Sequence, residues 1–424
     1  MQFIMKNLFK CGPLLFLLVV IPYSTNAEDN DVLTRIQKRA FPSLFQPWGD
    51  AEHFNDNING KVLPLKEEHI KTLARHDLLW FSPEGYGLIS LEKYPGLATS
   101  YTPESIKKAL ALRNAILKIN PNAVLLAEVR YYADQDGYIP TDSPWWMKDS
   151  NGKRTADVPP GENPRVFYRT DFHRPDLQKR VGDLCRLVMQ THVVDGCFLD
   201  WWNNHSEDIE ARTALAKVIR EALGDKGILV VNTNNRIPFA ASQPYINGLY
   251  MEGYNAKWFP ISQWKQVKAI MELPQNSPMK TPAFTAFEGW SPETNPGRND
   301  YKLMRMTTAM ALIFSDGYVL FGDPNSLITW DHLHDIYRPF WVDGKGQRPL
   351  GRPVSKPIQD SEKDGSFRRE YSQGTVVFNP PDNNSLYPVT ITFKEVHRSL
   401  GTGKELKRFL IPAGDGDIFV RLNK

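Results

Sequence analysis

The chain has 424 residues, 41% hydrophobic and 23% charged, with a formal net charge of +3. That length fits one large domain with a smaller companion and can bury a sizeable core. A nearly neutral chain with no basic run lacks the electrostatic footprint of a nucleic-acid binder. Aromatic residues make up 12%, including 11 Trp, and part of this Trp-rich set is expected to form a binding surface.

In chain order, the first segment reads as a leader rather than structure. Lys6 and Lys10 precede the apolar run Leu14 to Ile21, and Thr25-Asn26-Ala27 offers small residues for cleavage, the layout of a secretory signal peptide over 1–27. The run is too short to span a bilayer, and no later stretch reaches the required length. Cys11 lies before the run, unlike a lipoprotein cysteine. The mature chain is expected to begin near Glu28 and to be secreted or periplasmic. Losing Lys6 and Lys10 takes the charge from +3 to +1. Cys185 and Cys197 remain. A disulfide is possible in that compartment, but Leu177, Val181, Leu184, Cys185 and Val188 recur at helical spacing and Cys197 alternates with Phe198. Two buried thiols facing one layer are therefore the expectation.

Short apolar runs then alternate with amphipathic helices. The runs are Leu44 to Trp48, Leu78 to Ser82, Val124 to Val129, Gly196 to Asp200, Ile228 to Asn232, Leu249 to Glu252, Ala283 to Phe287 and Tyr318 to Phe321. Between them, Thr102-Pro103-Glu104 reads as an N-cap, a first-position Pro and an early acid, with Ile106, Leu110 and Leu117 near one face. Ser206-Glu207-Asp208 reads as the cap of another helix, with Leu215, Val218 and Ala222 on its core side. Eight strand–helix units in about 300 residues predict a (β/α)8 TIM barrel over 28–350. A doubly wound open sheet is the alternative, and the Gly-rich nucleotide loop usual near its first strand is missing. From 351 to 424, β-branched runs broken by Pro, Gly and Asn predict a linker and a small C-terminal all-β domain, sandwich-like.

A barrel of this kind builds its site at the C-terminal ends of the strands. The third run delivers Glu128 and Arg130, then Tyr131 and Tyr132. The fourth delivers Asp200, Trp201, Trp202, Asn203 and Asn204. The fifth delivers Asn232, Asn234 and Asn235, the sixth Glu252, Tyr254 and Asn255, the seventh Glu288 and Trp290, and the eighth Asp323. This is a ring of carboxylates, amides and aromatics without histidine. Carboxylate pairs hydrolyse glycosidic bonds, amides and acids bond sugar hydroxyls, and flat rings pack on sugar C–H faces. The single His-x-His, His332-Leu333-His334, falls in a predicted helix where i and i+2 diverge, so no metal is expected. No G-x-S-x-G or P-loop occurs, and no cofactor is implied. Asp200 and Glu252 end strands two apart, about 10 Å at the backbone from two steps of about 4.8 Å. Side chains leaning into the mouth close that to about 5–9 Å, a range that spans both stereochemical outcomes. Glu128, Tyr131, Trp201, Trp202, Asn232, Tyr254, Glu288, Trp290 and Asp323 are the candidate sugar contacts.

Phe198-Leu199-Asp200-Trp201 closing the fourth strand, Glu252 closing the sixth and a small β domain behind them resemble the TIM-barrel glycoside hydrolases of the α-galactosidase-like superfamily. That group includes barrels related to endo-α-1,4-polygalactosaminidase. Segments 145–155 and 171–181 are also similar to those preceding the fourth strand in such enzymes. The resemblance implies that Asp200 is the nucleophile and Glu252 the acid/base, acting on an oligo- or polysaccharide. The strand-six acid of those families is often Asp rather than Glu. Two other classes compete: a non-catalytic carbohydrate-binding barrel, in which the two acids would stand well beyond about 10 Å apart, and a metal-dependent barrel hydrolase.

Overall fold

The computed structural model describes residues 31–48, 67–157, 166–202, 205–254, 259–290, 300–322, 348–358, 361–383 and 387–422. The leader over 1–27, Asn203, Asn204, Asn255, Asp323 and the His332/His334 pair lie outside the described residues. Eight parallel strands form one sheet: β1 (Phe45–Pro47), β2 (Leu78–Phe81), β3 (Val124–Glu128), β4 (Gly196–Leu199), β5 (Ile228–Asn232), β6 (Gly248–Tyr254), β7 (Phe284–Trp290) and β8 (Tyr318–Gly322). Each pairs with the next in sequence. A parallel bridge between Leu44 and Val319, with the Val319 N–H on the Ser43 carbonyl at 2.9 Å, closes the barrel from β8 back to β1. All eight runs picked out in the sequence are strands. They read as continuous apolar runs because a parallel sheet is covered on both faces.

The helices are α1 (Val32–Lys38), α2 (Glu67–Leu73), α3 (Pro103–Ile119), α4 (Pro175–Gln190), α5 (Ile209–Leu223), α6 (Trp264–Met271), the single turn α7 (Leu273–Asn276) and α8 (Tyr301–Phe314). The Thr102 hydroxyl accepts the Ser105 N–H, so the cap of α3 is as expected. The deeper face of α3 is Ala109, Leu112 and Ile116, with Ile106, Leu110 and Leu117 on its flank. The cap expected at 206–208 is instead a 3-10 turn with no side-chain capping bond, leading into α5. Cys185 and Cys197 are buried and free.

Helix α8 is apolar on nearly all sides because it is covered on two sides. One side meets the barrel so closely that a Cβ on Gly289 of β7 would fall 2.6 Å from the Thr307 methyl. The other side carries the C-terminal domain, an antiparallel sheet of β9 (Phe367–Tyr371), β10 (Gly374–Asn379), β11 (Val389–Ser399), β12 (Glu405–Ile411) and β13 (Asp415–Arg421), in the order β9-β10-β13-β11-β12. The sandwich anticipated here is one continuous sheet. Flat, it would hold β12 and β13 about 10 Å apart across β11. The register shift in β11 between Thr392 and His397 lets it curl, bringing Phe409 of β12 and Phe419 of β13 to 4.5 Å between ring centres. Buried Arg369 donates to the Leu312 and Ser315 carbonyls, both at 2.9 Å, and so satisfies the end of α8. The segment expected as a linker is stapled to the barrel: Leu350 is buried, and buried Arg348 pairs with Asp77 at 3.1 Å.

Candidate active site

Side-chain alternation along the strands decides what reaches the barrel interior. The registers Trp80↔Leu126, Glu128↔Phe198, Phe198↔Val230, Asn232↔Tyr250 and Tyr250↔Ala286 place these positions on one inward face. Below the mouth the interior is aromatic. Phe45 stacks on Trp80 at 5.3 Å, Trp80 stacks on Phe198 at 4.6 Å, and Tyr250 meets all three edge-on. Trp48, just past β1 with φ 45°, sets its ring edge-on against Trp80, Phe198 and Tyr250 at 5.4–6.4 Å. One step further along the inward face come Glu128, Asp200, Asn232, Glu252 and Glu288.

Asp200 and Glu252 converge. The Asn232 side-chain nitrogen Nδ2 donates to Asp200 Oδ1 at 2.7 Å and to Glu252 Oε2 at 2.7 Å, so these two oxygens lie at most twice that distance apart. The Asn232 Oδ1 accepts the Asn234 N–H at 3.0 Å, which orients the amide with its nitrogen towards the acids. Asp200 Oδ1 also accepts the Trp201 N–H at 2.9 Å, leaving Oδ2 without a hydrogen bond among the described residues. Neither carboxylate forms an ion pair with lysine or arginine among the described residues. Burial, then the Glu128 charge, pushes the Asp200 carboxyl up to about 7. Burial, then the charges of Asp200 and Glu288, pushes Glu252 well above the usual carboxylate range.

Glu252 owes its aim to a bulge. The β6–β7 register passes from Met251↔Phe287 to Tyr254↔Gly289, one residue extra on β6, with Gly253 at φ 75°. Such an insertion re-aims a side chain, and glycine supplies the left-handed conformation. The Asn235 amide holds the bulge by donating to the Glu252 carbonyl at 2.5 Å. The bulge also reverses the side of Tyr254. Its partner Gly289 faces α8, so Tyr254 points into the helical layer, where its hydroxyl donates to the Ile261 carbonyl at 2.8 Å and its ring packs on Phe287. Tyr254 is therefore not the mouth residue that the sequence suggested. The strands also run past their expected ends, so Glu252, Glu288 and Trp290 belong to strands rather than to the loops after them.

The turn after Asp200 is held from behind. Trp201 sits at φ 53°, a strained region for a tryptophan and one that clusters at functional sites. Its carbonyl accepts the Tyr131 hydroxyl at 2.9 Å and Arg212 Nη1 at 3.0 Å. Arg212, fully buried on α5, lies 4.9–5.9 Å from the ring centres of Tyr131, Tyr132, Phe172 and Trp202 and also bonds the Tyr131 hydroxyl. Tyr131 and Trp202, taken from the sequence as sugar contacts, are instead walls of this nest. Trp201 is half-buried and stacks on Tyr132 at 5.9 Å. Glu128 is buried, 3.6 Å from Arg130, which also reaches Asp134 at 3.6 Å. Glu288 is buried and accepts the Tyr250 hydroxyl, and Trp290 shares its inward face. Tyr250, Trp48 and Arg212 escaped the sequence reading. Tyr250 was within reach of it, two residues before Glu252 on an alternating strand. Among the described residues, no group of three or more His, Cys, Asp and Glu side chains is arranged to hold a metal.

Comparison with known proteins follows this geometry. Two solved structures share the fold: a noncanonic maltogenic α-amylase of Thermotoga neapolitana, 12% identical over 89% of this chain and 96% of that one, TM-score 0.52; and a GH27 β-L-arabinopyranosidase of Geobacillus stearothermophilus, 11% identical over 92% and 100%, TM-score 0.52. No curated protein matches the sequence. The model of hypothetical glycosyl hydrolase family 15 matches residues 120–375, which take in β3 to β8 and every acid of the mouth described above. The chain belongs to that glycosyl hydrolase family.

Proposed function

We propose that this chain is a secreted glycoside hydrolase that works with retention, Asp200 serving as nucleophile and Glu252 as acid/base on an oligo- or polysaccharide. The single observation that carries this reading is the Asn232 nitrogen bonded to both acids at 2.7 Å. The two N–H bonds of an amide diverge by about 120°, which corresponds to roughly 4.7 Å between the acceptor oxygens. That is near the spacing of retaining enzymes, about 5–5.5 Å, and short of the room that an inverting enzyme leaves for water. It also disfavours a non-catalytic barrel, which has no need to hold two carboxylates together at a cost in repulsion.

The electrostatics support the division of roles. A close buried pair holds one proton across neutrality, and Glu252, raised further than Asp200, retains it. Ionised Asp200 attacks the anomeric carbon through Oδ2 as the glycosidic bond breaks, and Glu252 gives its proton to the leaving oxygen. Glu252, now a carboxylate, takes a proton from water. That water attacks the same carbon and releases Asp200. Trp48, closing the aromatic floor, offers a flat surface for a sugar face. The leader features at Lys6, Lys10 and Leu14 to Ile21 support export, and no described helix is long and apolar enough to cross a membrane. The test is a screen of α- and β-linked oligosaccharides and exopolysaccharides, followed by trapping with the 2-fluoro analogue of the sugar found. Intact mass should rise by one glycosyl unit, and peptide mapping should place it on Asp200. A label on another residue, or Asp200→Asn with full activity, defeats the assignment.

A further inference from the structure

We propose that Asn232, through a single amide nitrogen, is the positioning residue that sets the spacing of Asp200 and Glu252 and couples their ionisation. This inference rests on that pair being the catalytic one. A nitrogen that gives one hydrogen to each of two carboxylates ties their positions together, and it also ties their charges, because each bond strengthens when its acceptor ionises. Asn232 is itself immobilised. It is 1% exposed, its Oδ1 holds the Asn234 N–H, and its own carbonyl accepts the Trp202 N–H at 2.7 Å. That last bond joins the end of β5 to the strained turn that follows Asp200, so the backbone carrying the nucleophile and the amide that orients it move as one body.

The charged and titratable groups that face the pair come from the neighbouring strands: Glu128 of β3 with Arg130 beyond it, Tyr250 of β6 and Glu288 of β7. Arg130 is engaged by Glu128 and Asp134 at 3.6 Å each, which leaves the amide as the donor common to both acids among the described residues. Asp200 has a second donor in the Trp201 N–H, whereas the amide is the only group found to donate to the Glu252 carboxylate among the described residues. The shared nitrogen thus fixes the distance, and the extra backbone N–H tips the first ionisation to Asp200.

The deciding measurement is a 13C NMR titration of the Asp200 and Glu252 carboxyl carbons in the full, substrate-free chain, with assignments from Asp200→Asn and Glu252→Gln. Asn232→Leu keeps the volume and removes the donor. Asn232→Ser keeps a hydroxyl that can serve only one acid. The first ionisation of the pair should move to higher pH by one unit or more in the Leu variant and by less in the Ser variant, with the acid limb of kcat moving in step and KM changing less than kcat. If the Leu variant does not fold, as judged by circular dichroism, the Ser variant decides alone by the same shift. Wild-type titration steps in the folded variants overturn the proposal. A wild-type chain that cleaves no sugar, while its Asn232 variants shift as stated, would sink the hydrolase reading and leave the positioning role standing. Covalent labelling of Asp200 with unshifted titrations would do the reverse.

Discussion

Strand β4 carries a buried aspartate at each end, and the two have opposite fates. Asp195, just before the strand, is met by Arg35 and by Arg113 at 2.7 Å, and its Oδ2 also accepts the Leu125 N–H at 3.0 Å. Although burial opposes it, the charges of Arg113 and Arg35 hold its carboxyl below the ordinary range. Asp200, just after the strand, meets no cation directly and stands among Glu128, Glu252 and Glu288, so its carboxyl is raised. Five residues apart on one strand, the first carboxylate stabilises the closed bottom of the barrel and the second is kept reactive at its open top. A barrel separates these duties by end because its loops of variable chemistry cluster at the C-terminal face.

This contrast can be broken most directly at the top. Asp200→Asn should lower kcat by about 1,000-fold or more, and Glu252→Gln by about 100- to 10,000-fold, with circular dichroism unchanged. Assays on the substrate that emerges from the screen check both. At the bottom, Asp195→Ala strands two buried arginines and should cost about 3–5 kcal/mol in urea denaturation. The fraction that stays folded should turn over at the wild-type rate, and a loss of kcat there would erase the distinction between the ends.

The pH response sharpens the comparison because its sign differs between the two. Asp195, with its carboxyl lowered in the fold, adds stability that is present above its unfolded value of about 3.9 and lost as pH falls through the folded value. Asp200, raised to about 7 in the fold, leaves the protein most stable below about 3.9, and stability is lost as pH rises towards 7. Asp200→Asn should therefore be more stable than wild type at pH 8, on the order of 1–3 kcal/mol, with the gain vanishing at pH 4. Asp195→Asn should lose most at pH 8 and least near pH 3. Thermal melts across pH read both, and the same ionisation predicts an acid limb of kcat/KM near pH 7. The mildest change is Tyr131→Phe, which removes one of two donors to the Trp201 carbonyl. It should cost about 1 kcal/mol of stability and only a few-fold in kcat, because Arg212 still holds that carbonyl.

The barrel was legible in the amino-acid pattern because covered parallel strands leave apolar runs, and the runs stop where polar side chains begin. That rule located Glu128, Asp200, Asn232, Glu252 and Glu288 without coordinates. It failed at Tyr254 because a single extra residue at Glu252–Gly253 reverses side-chain parity, and no hydrophobic count registers a bulge. It failed at Tyr131 and Trp202 because a fully buried arginine on an amphipathic helix reads as a surface charge until its aromatic nest is seen. Local chemistry along the chain thus dictated which residues arrive at the mouth of the barrel. Which of them touch, at what spacing and with which proton, arose from contacts between β4, β5 and β6. Those contacts join residues 20 and 32 positions apart through one amide, and such long-range distances leave no trace in periodicity.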